Sequence, residues 1–269
     1  MKLLFMENRQ ATYLWEAVAR LIEKDGHEIH WIVENRGFAP SVGRVNIIPY
    51  PSDEDAFTGS LPQHLKEITD TDRNITYFGG DARHYAYYDQ HIWQILKNVL
   101  PDFVFGEQTL FHELIAVHYC RRLNIPYLVP SNTRYPTGRT AFYAYDTYDP
   151  FGGSGERLSD NEAKNLIHLI RDCRSAPDYM APSSAGVISR LLEKIDDRVR
   201  ITGSYLFGER YNTPSPSRKL ALEIQHKKRV RDWEQIAVED IGPVVGRRPW
   251  LLYPLHMQPE SSIDVYGRP

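Results

Sequence analysis

The sequence predicts an α/β fold built on a doubly wound parallel sheet. Three observations lead there. Short apolar runs of strand length alternate with segments whose apolar residues recur every three or four positions. Each of the first runs ends in a polar cluster, such as Glu7-Asn8-Arg9 or Gly106-Glu107-Gln108. The stretches between the runs are long enough to hold crossover helices, which parallel strands require.

The elements follow in order. Lys2–Met6 reads as a first strand. Ala11, Leu14, Trp15, Val18, Leu21 and Ile22 then mark a helix that closes at Asp25-Gly26. His27–Val33 and Asn46–Tyr50 are the second and third strands, and the polar residues 52–80 read as a long loop with little helix. Tyr85, Tyr88, Ile92, Ile95, Leu96 and Val99 place a helix over Ala82–Leu100, stopped by Pro101. Asp102–Phe105 is the fourth strand, Phe111–Leu123 a helix, and Pro126–Val129 the fifth strand. A second long loop covers residues 132–158.

Ser159-Asp160-Asn161-Glu162 is a capping box that opens a helix to about Arg174. Pro177–Ala181 reads as a strand, and Ser183 or Ser184 caps a helix running through Lys194. Arg198–Thr202 reads as a further strand. Ser217 caps a long helix with Leu220, Ile224, Val230, Trp233 and Ala237 facing inward. Residues 1–238 therefore form an N-terminal domain. Residues 239–249, with two Gly and two Pro, form a linker, and Trp250–Leu255 is a fresh strand. Residues 250–269 read either as the incomplete start of a second domain or as an edge strand returning to the main sheet.

Composition excludes several classes. A net charge of −3 gives no overall basic field for nucleic acid. No apolar run reaches the ~18 residues of a membrane span. Two cysteines, Cys120 and Cys173, both in helical patterns, argue against a disulfide framework and for a reducing cytoplasm. The basic run His226–Arg231 reads as a solvated helix face, or as a peripheral contact with anionic lipid at the inner membrane.

In an open parallel sheet, ligands bind beyond the carboxyl ends of the strands, where the strand order reverses. With the order 3-2-1-4-5, that crevice lies between the first and fourth strands. It would gather Asn8, Arg9 and Glu107, with Arg134 and Arg139 from the loop after the fifth strand. Carboxylate, amide and guanidinium groups together suit a polyhydroxylated or anionic ligand. Asn8 could instead cap the first helix, and Glu107 could serve the dipole of the next one. No glycine-rich phosphate loop follows the first strand, and no serine-hydrolase elbow occurs. No histidine spacing suggests a metal, so no metal and no cofactor are expected. His256 ends a strand and is followed by Gln258, Glu260 and Ser261. An imidazolium with hydroxyl donors there could neutralise a leaving phosphate, and the carboxylate could hold a sugar hydroxyl. A His bonded to backbone at a strand end is the other reading.

Four stretches carry a family resemblance: Asn8-Arg9-Gln10-Ala11-Thr12-Tyr13-Leu14-Trp15, Gly26–Val33, Pro101–Gln108 and, most specifically, Pro254-Leu255-His256-Met257-Gln258-Pro259-Glu260. They resemble bacterial capsule and surface-polysaccharide biosynthesis proteins, which are similar to glycosyltransferases of the GT-B fold. The resemblance implies two Rossmann-like domains facing across a cleft, with acceptor glycan on the first and nucleotide-sugar donor on the second. The His256 motif would begin the donor domain, and the chain would be truncated soon after.

The expected activity is transfer of a sugar from a nucleotide sugar to a surface or capsular polysaccharide. Glu107 is the expected base, with Asp146 and Asp149 in reserve. His256 and Ser261 would face the leaving phosphate, with Gln258 and Glu260 completing the donor side. Asn8, Arg9, Arg134 and Arg139 would orient the acceptor. A nucleotide-sugar epimerase of similar architecture and a non-catalytic glycan-binding or assembly subunit are the alternatives.

Overall fold

The computed structural model describes residues 1–9, 11–78, 80–132, 139–153, 155–172, 187–207 and 215–236. Among them, one sheet has the order β3-β2-β1-β4-β5-β6. Its strands are β1 (Lys2–Met6), β2 (Glu28–Val33), β3 (Arg44–Ile47), β4 (Phe103–Phe105), β5 (Tyr127–Asn132) and β6 (Thr140–Ala144). β1 pairs parallel with both β2 and β4, through Leu4↔His30 and Leu4↔Val104. β5 is parallel to β4, and β6 runs antiparallel to β5. The predicted order of the first five strands and the doubly wound α/β class are what the structure shows.

Period-two alternation along β1 builds both layers. Leu3 and Phe5 face one side, where Phe5 stacks on Trp31 at 4.9 Å and on Phe105 at 5.0 Å. Helix α1 (Ala11–Lys24) covers part of that side with Trp15, Ala19 and Ile22. Leu4 and Met6 face the other side. There α4 (Tyr85–Val99) and α5 (Phe111–Leu123) pack against the sheet, with Tyr85 and Phe111 stacked at 4.2 Å. The aromatic-rich stretch around Tyr85 and Tyr88 is core.

Several expectations are corrected. Residues 52–80 are not mainly loop: they carry α2 (Gln63–Thr71) and α3 (Arg73–Phe78). Leu65 and Ile68, three residues apart, supply a buried stripe that the surrounding polar residues masked. β6 forms inside the stretch read as the second loop. Its alternation Ala141-Phe142-Tyr143 pairs with β5 as an edge strand. Arg198–Thr202 is not a strand but part of α7 (Val187–Leu206), which follows α6 (Asp160–Arg171). The side chains Asp196 and Arg200, four apart, form an ion pair at 2.7 Å that suits a helix face.

The long helix is present as α8 (Pro216–Ile236), so Ser217 lies inside its first turn and is not its cap; Leu220, Ile224, Val230 and Trp233 are exposed and do not face inward, and Ala237 lies outside the described residues. Leu220 is 58% and Trp233 67% exposed, because α8 meets little of the sheet. The Ser159 capping box forms as expected, with the Ser159 amide donating to Glu162 Oε2 at 2.8 Å. The expected strands at 177–181 and 250–255, the start of the helix at Ser183 or Ser184, and the linker at 239–249 lie outside the described residues. Among the described residues, no helix is long and apolar enough to cross a membrane.

Candidate active site at the strand ends

β1 and β2 end in the same tripeptide, Glu7-Asn8-Arg9 and Glu34-Asn35-Arg36. Parallel pairing brings the two ends side by side, and Glu7 N donates to Ile32 O at 2.9 Å. Glu7 is buried. Its Oε1 accepts from the Arg9 amide at 2.6 Å and its Oε2 from the Asn35 amide at 3.0 Å. Arg9 takes a left-handed backbone at φ 45°, which swings the chain from the strand into α1. Asn35 Oδ1 in turn accepts from Gly37 N and from the Ser204 hydroxyl, both at 2.9 Å. The C-terminal end of α7 is thereby tied to this rim, with Arg200 Nη1 donating to Gly37 O at 3.2 Å.

β4 ends at Gly106-Glu107 and feeds α5, whose third residue is Glu113. Glu113 is fully buried. Its Oε1 accepts from Asn8 Nδ2 at 2.9 Å and from the Glu107 amide at 3.0 Å. Its Oε2 accepts from the amides of Thr109 at 3.1 Å and Leu110 at 3.0 Å. These bonds satisfy amides left open at the start of α5 and place an anion at its positive end. The helix-start role considered for Glu107 is therefore filled by Glu113. Asn8 does not spend its side chain on capping α1 either; it reaches across the crevice to the β4 side.

Glu107 is the half-buried carboxyl of this group. Burial and then the adjacent Glu113 charge push it up to about 7, against hydrogen bonds from Asn8 and Thr109 and the charge of Arg73. A carboxyl poised there can take up or release a proton at neutral pH.

Beneath the rim lies a buried ion pair. His112 Nδ1 approaches Glu34 Oε2 at 2.9 Å, with both side chains at most 2% exposed. His112 Nε2 donates to Glu7 O at 2.9 Å. Burial opposes a charge on His112, but Glu34, and beyond it Glu113 and Glu7, raise its pKa to about 10. Burial pushes the Glu34 carboxyl up as well, against the pull of His112. We assign the shared proton to the imidazolium, since both of its N–H groups then have an oxygen at 2.9 Å.

Gly106 permits this packing. A Cβ at that position would meet the Tyr127 hydroxyl and would sit 2.9 Å from Met6 Cγ. The Tyr127 hydroxyl is held in place, donating to Glu107 O at 2.7 Å. Gly106→Ala is expected to cost about 1–3 kcal/mol through overpacking, read as a lower midpoint in denaturant.

The structure brings Asn8, Arg9 and Glu107 to one rim. It does not bring Arg139 there: that guanidinium forms an exposed ion pair with Glu156 at 2.5 Å, just ahead of edge strand β6. Asp146 pairs with Arg121 near the far end of α5, and Asp149 O accepts from the Ala144 amide beside β6. Neither reserve carboxylate joins Glu107. Arg134, His256, Gln258, Glu260 and Ser261 lie outside the described residues.

Glu34, His112 and Glu113 were not among the expected site residues. The repeated Glu-Asn-Arg and the acid in the first turn of α5 were the available signals. Among the described residues, no group of three or more His, Cys, Asp or Glu side chains is arranged to hold a metal ion. Cys120 is buried, which pushes its thiol up to about 12 and leaves it a core residue.

No protein-family model matches the chain, and no curated protein does. Solved structures similar to it include a UDP-GlcNAc 2-epimerase from Methanocaldococcus jannaschii, at 14% identity and TM-score 0.31, over 50% of this chain and 33% of that one. A calicheamicin glycosyltransferase aligns at 13% identity and TM-score 0.29, over 81% of this chain and 44% of that one. A deacetylase mutant from the teicoplanin biosynthetic pathway aligns at 12% identity and TM-score 0.30, over 64% of this chain and 81% of that one. The alignments thus span about a third and under half the length of the first two.

Proposed function

We propose that this chain is the acceptor-side domain of a glycosyltransferase of GT-B type. It would move a sugar from a nucleotide-sugar donor to a hydroxyl of a surface or capsular polysaccharide. The observation that carries the reading is Glu107: a carboxyl raised to about 7, at the strand-order switch, beside the amide of Asn8. In this scheme Glu107 accepts the proton of the acceptor hydroxyl as its oxygen attacks the anomeric carbon. The bond from that carbon to the phosphate oxygen breaks, and the nucleotide diphosphate leaves with the electron pair. Asn8 orients the acceptor. The donor side is assigned to His256, Gln258, Glu260 and Ser261, with His256 and Ser261 balancing the charge of the leaving phosphate. No metal or cofactor is needed for these steps, so activity should survive a chelator.

The test is a panel of nucleotide sugars incubated with and without oligosaccharide acceptors. Acceptor-dependent release of nucleotide diphosphate supports the proposal. Change of the donor sugar without any acceptor identifies an epimerase instead. Binding of oligosaccharide with no turnover of any donor points to an assembly subunit. For the transferase, the rate should rise with pH through a midpoint near 7, since Glu107 must lose its proton before it can act as the base. A flat profile across pH 6–8 removes Glu107 from that role.

A further inference from the structure

We propose that Glu113 is the positioning residue that tunes Glu107, holding the Glu107 amide on its Oε1 while Asn8, bonded to both carboxyl groups, works against it. Glu113 cannot itself meet a ligand: it is fully buried, and both its oxygens are occupied by Asn8 Nδ2 and by the amides of Glu107, Thr109 and Leu110. What it presents to the crevice is a fixed negative charge directly behind the Glu107 backbone. Two carboxylates held this close disfavour ionising the second one. Glu113 is caged by four donors, whereas Glu107 is half-buried at the rim.

Asn8 opposes that effect. Its amide donates to Glu113 Oε1 at 2.9 Å, and its side chain also hydrogen bonds the Glu107 carboxyl. The bond to Glu107 favours the ionised form. Glu107 is thus set between an anion that raises its proton affinity and an amide that lowers it.

Among the described residues, the groups facing Glu107 come from three packed elements and one loop. Glu113 comes from α5, Asn8 from the end of β1 and Arg73 from α3, and Thr109 lies on the intervening loop. Glu7, Glu34 and His112 lie next to these, beneath the rim. Arg73 favours the ionised carboxylate, as Asn8 does. Burial pushes Glu107 most strongly toward the proton-bound form and the Glu113 charge adds to it, while Asn8, Arg73 and Thr109 pull the other way, so the Glu113 and Asn8 substitutions carry opposite signs.

The inference rests on Glu107 as the base, but its test does not require the glycosyl-transfer reading. The Glu107 carboxyl is titrated by carbon-13 NMR on the full chain labelled at glutamate side-chain carbons, with Glu107→Gln assigning the resonance. The wild-type midpoint is expected near 7. In Glu113→Gln it should move down toward the ordinary carboxylate range. In Asn8→Ala it should move up. Opposite shifts support the proposal. Shifts of the same sign, or no shift in either variant, overturn it. Should Glu113→Gln fail to fold, Asn8→Ala alone decides: a downward or absent shift overturns the proposal. A wild-type midpoint near 4 overturns it as well. Correct shifts in a protein that turns over no nucleotide sugar would leave this coupling intact and reject the transferase instead.

Discussion

Replacing Glu107 with Gln is expected to lower turnover by about 10²–10⁴-fold, the usual contribution of a positioned general base. The fold should survive the change. Gln keeps the side-chain length and can still meet Asn8 and Thr109, and it removes a charge that burial and Glu113 both oppose. A group whose folded pKa is raised contributes stability at low pH and loses it as pH climbs through the folded value. Above pH 7, ionised Glu107 is therefore a burden on the native state, and Glu107→Gln should unfold at or above the wild-type temperature at pH 8. Activity loss with equal or higher thermal stability is the signature to look for. A Glu107→Gln protein turning over within a few-fold of wild type would place the base elsewhere. Reduced activity together with a lower unfolding temperature would mean the side chain is structural.

The largest stability effect is expected at His112. Removing it takes the imidazolium from beside the buried Glu34 carboxyl and the N–H donor from Glu7 O. Breaking a buried ion pair from one side costs about 3–5 kcal/mol, so His112→Gln should lower the denaturant midpoint sharply. The pH dependence follows from the raised folded pKa of about 10 against an ordinary value of 6.5. The contribution of His112 is fully present below about 6.5, declines above it, and is gone once the pH passes about 10. The wild-type advantage over His112→Gln should therefore narrow between pH 7 and pH 10. A gap that stays constant over that range would mean that His112 is neutral in the fold and contributes by packing alone.

The sheet and half of the rim could be read from the chain in one dimension. Leu3 and Phe5 alternate with Leu4 and Met6, so β1 showed itself as a strand buried on both faces. Asn8 and Glu107 follow strands directly, and the switch-point rule places such residues at a ligand crevice. Glu113 and His112 were hidden for a different reason. Their partners Asn8 and Glu7 are 105 residues away in sequence. Local pattern reports nothing about which distant polar atom will meet which. The same limit explains α7. Arg198–Thr202 alternates like a strand over five residues, and the helical repeat emerges only over the longer window from Leu192 to Leu206. Arg139 was misplaced because it leads into β6, which pairs antiparallel with β5 at the edge of the sheet, away from β1 and β4.

The position of β1 has a consequence for a chain emerging from the ribosome. β1 is made before its neighbours yet sits in the middle of the sheet, between β2 and β4. The backbone carbonyl of Glu7 and the side-chain amide of Asn8 have partners in α5 that are synthesised about a hundred residues later. Until Glu113 has left the exit tunnel, the unit of β1, α1 and β2 carries an open strand edge, and the Glu7 carbonyl and Asn8 amide lack their α5 partners. Such long-range closure makes assembly slow and exposes that edge to other nascent chains. Completing the rim and sealing the centre of the sheet are one event in biogenesis.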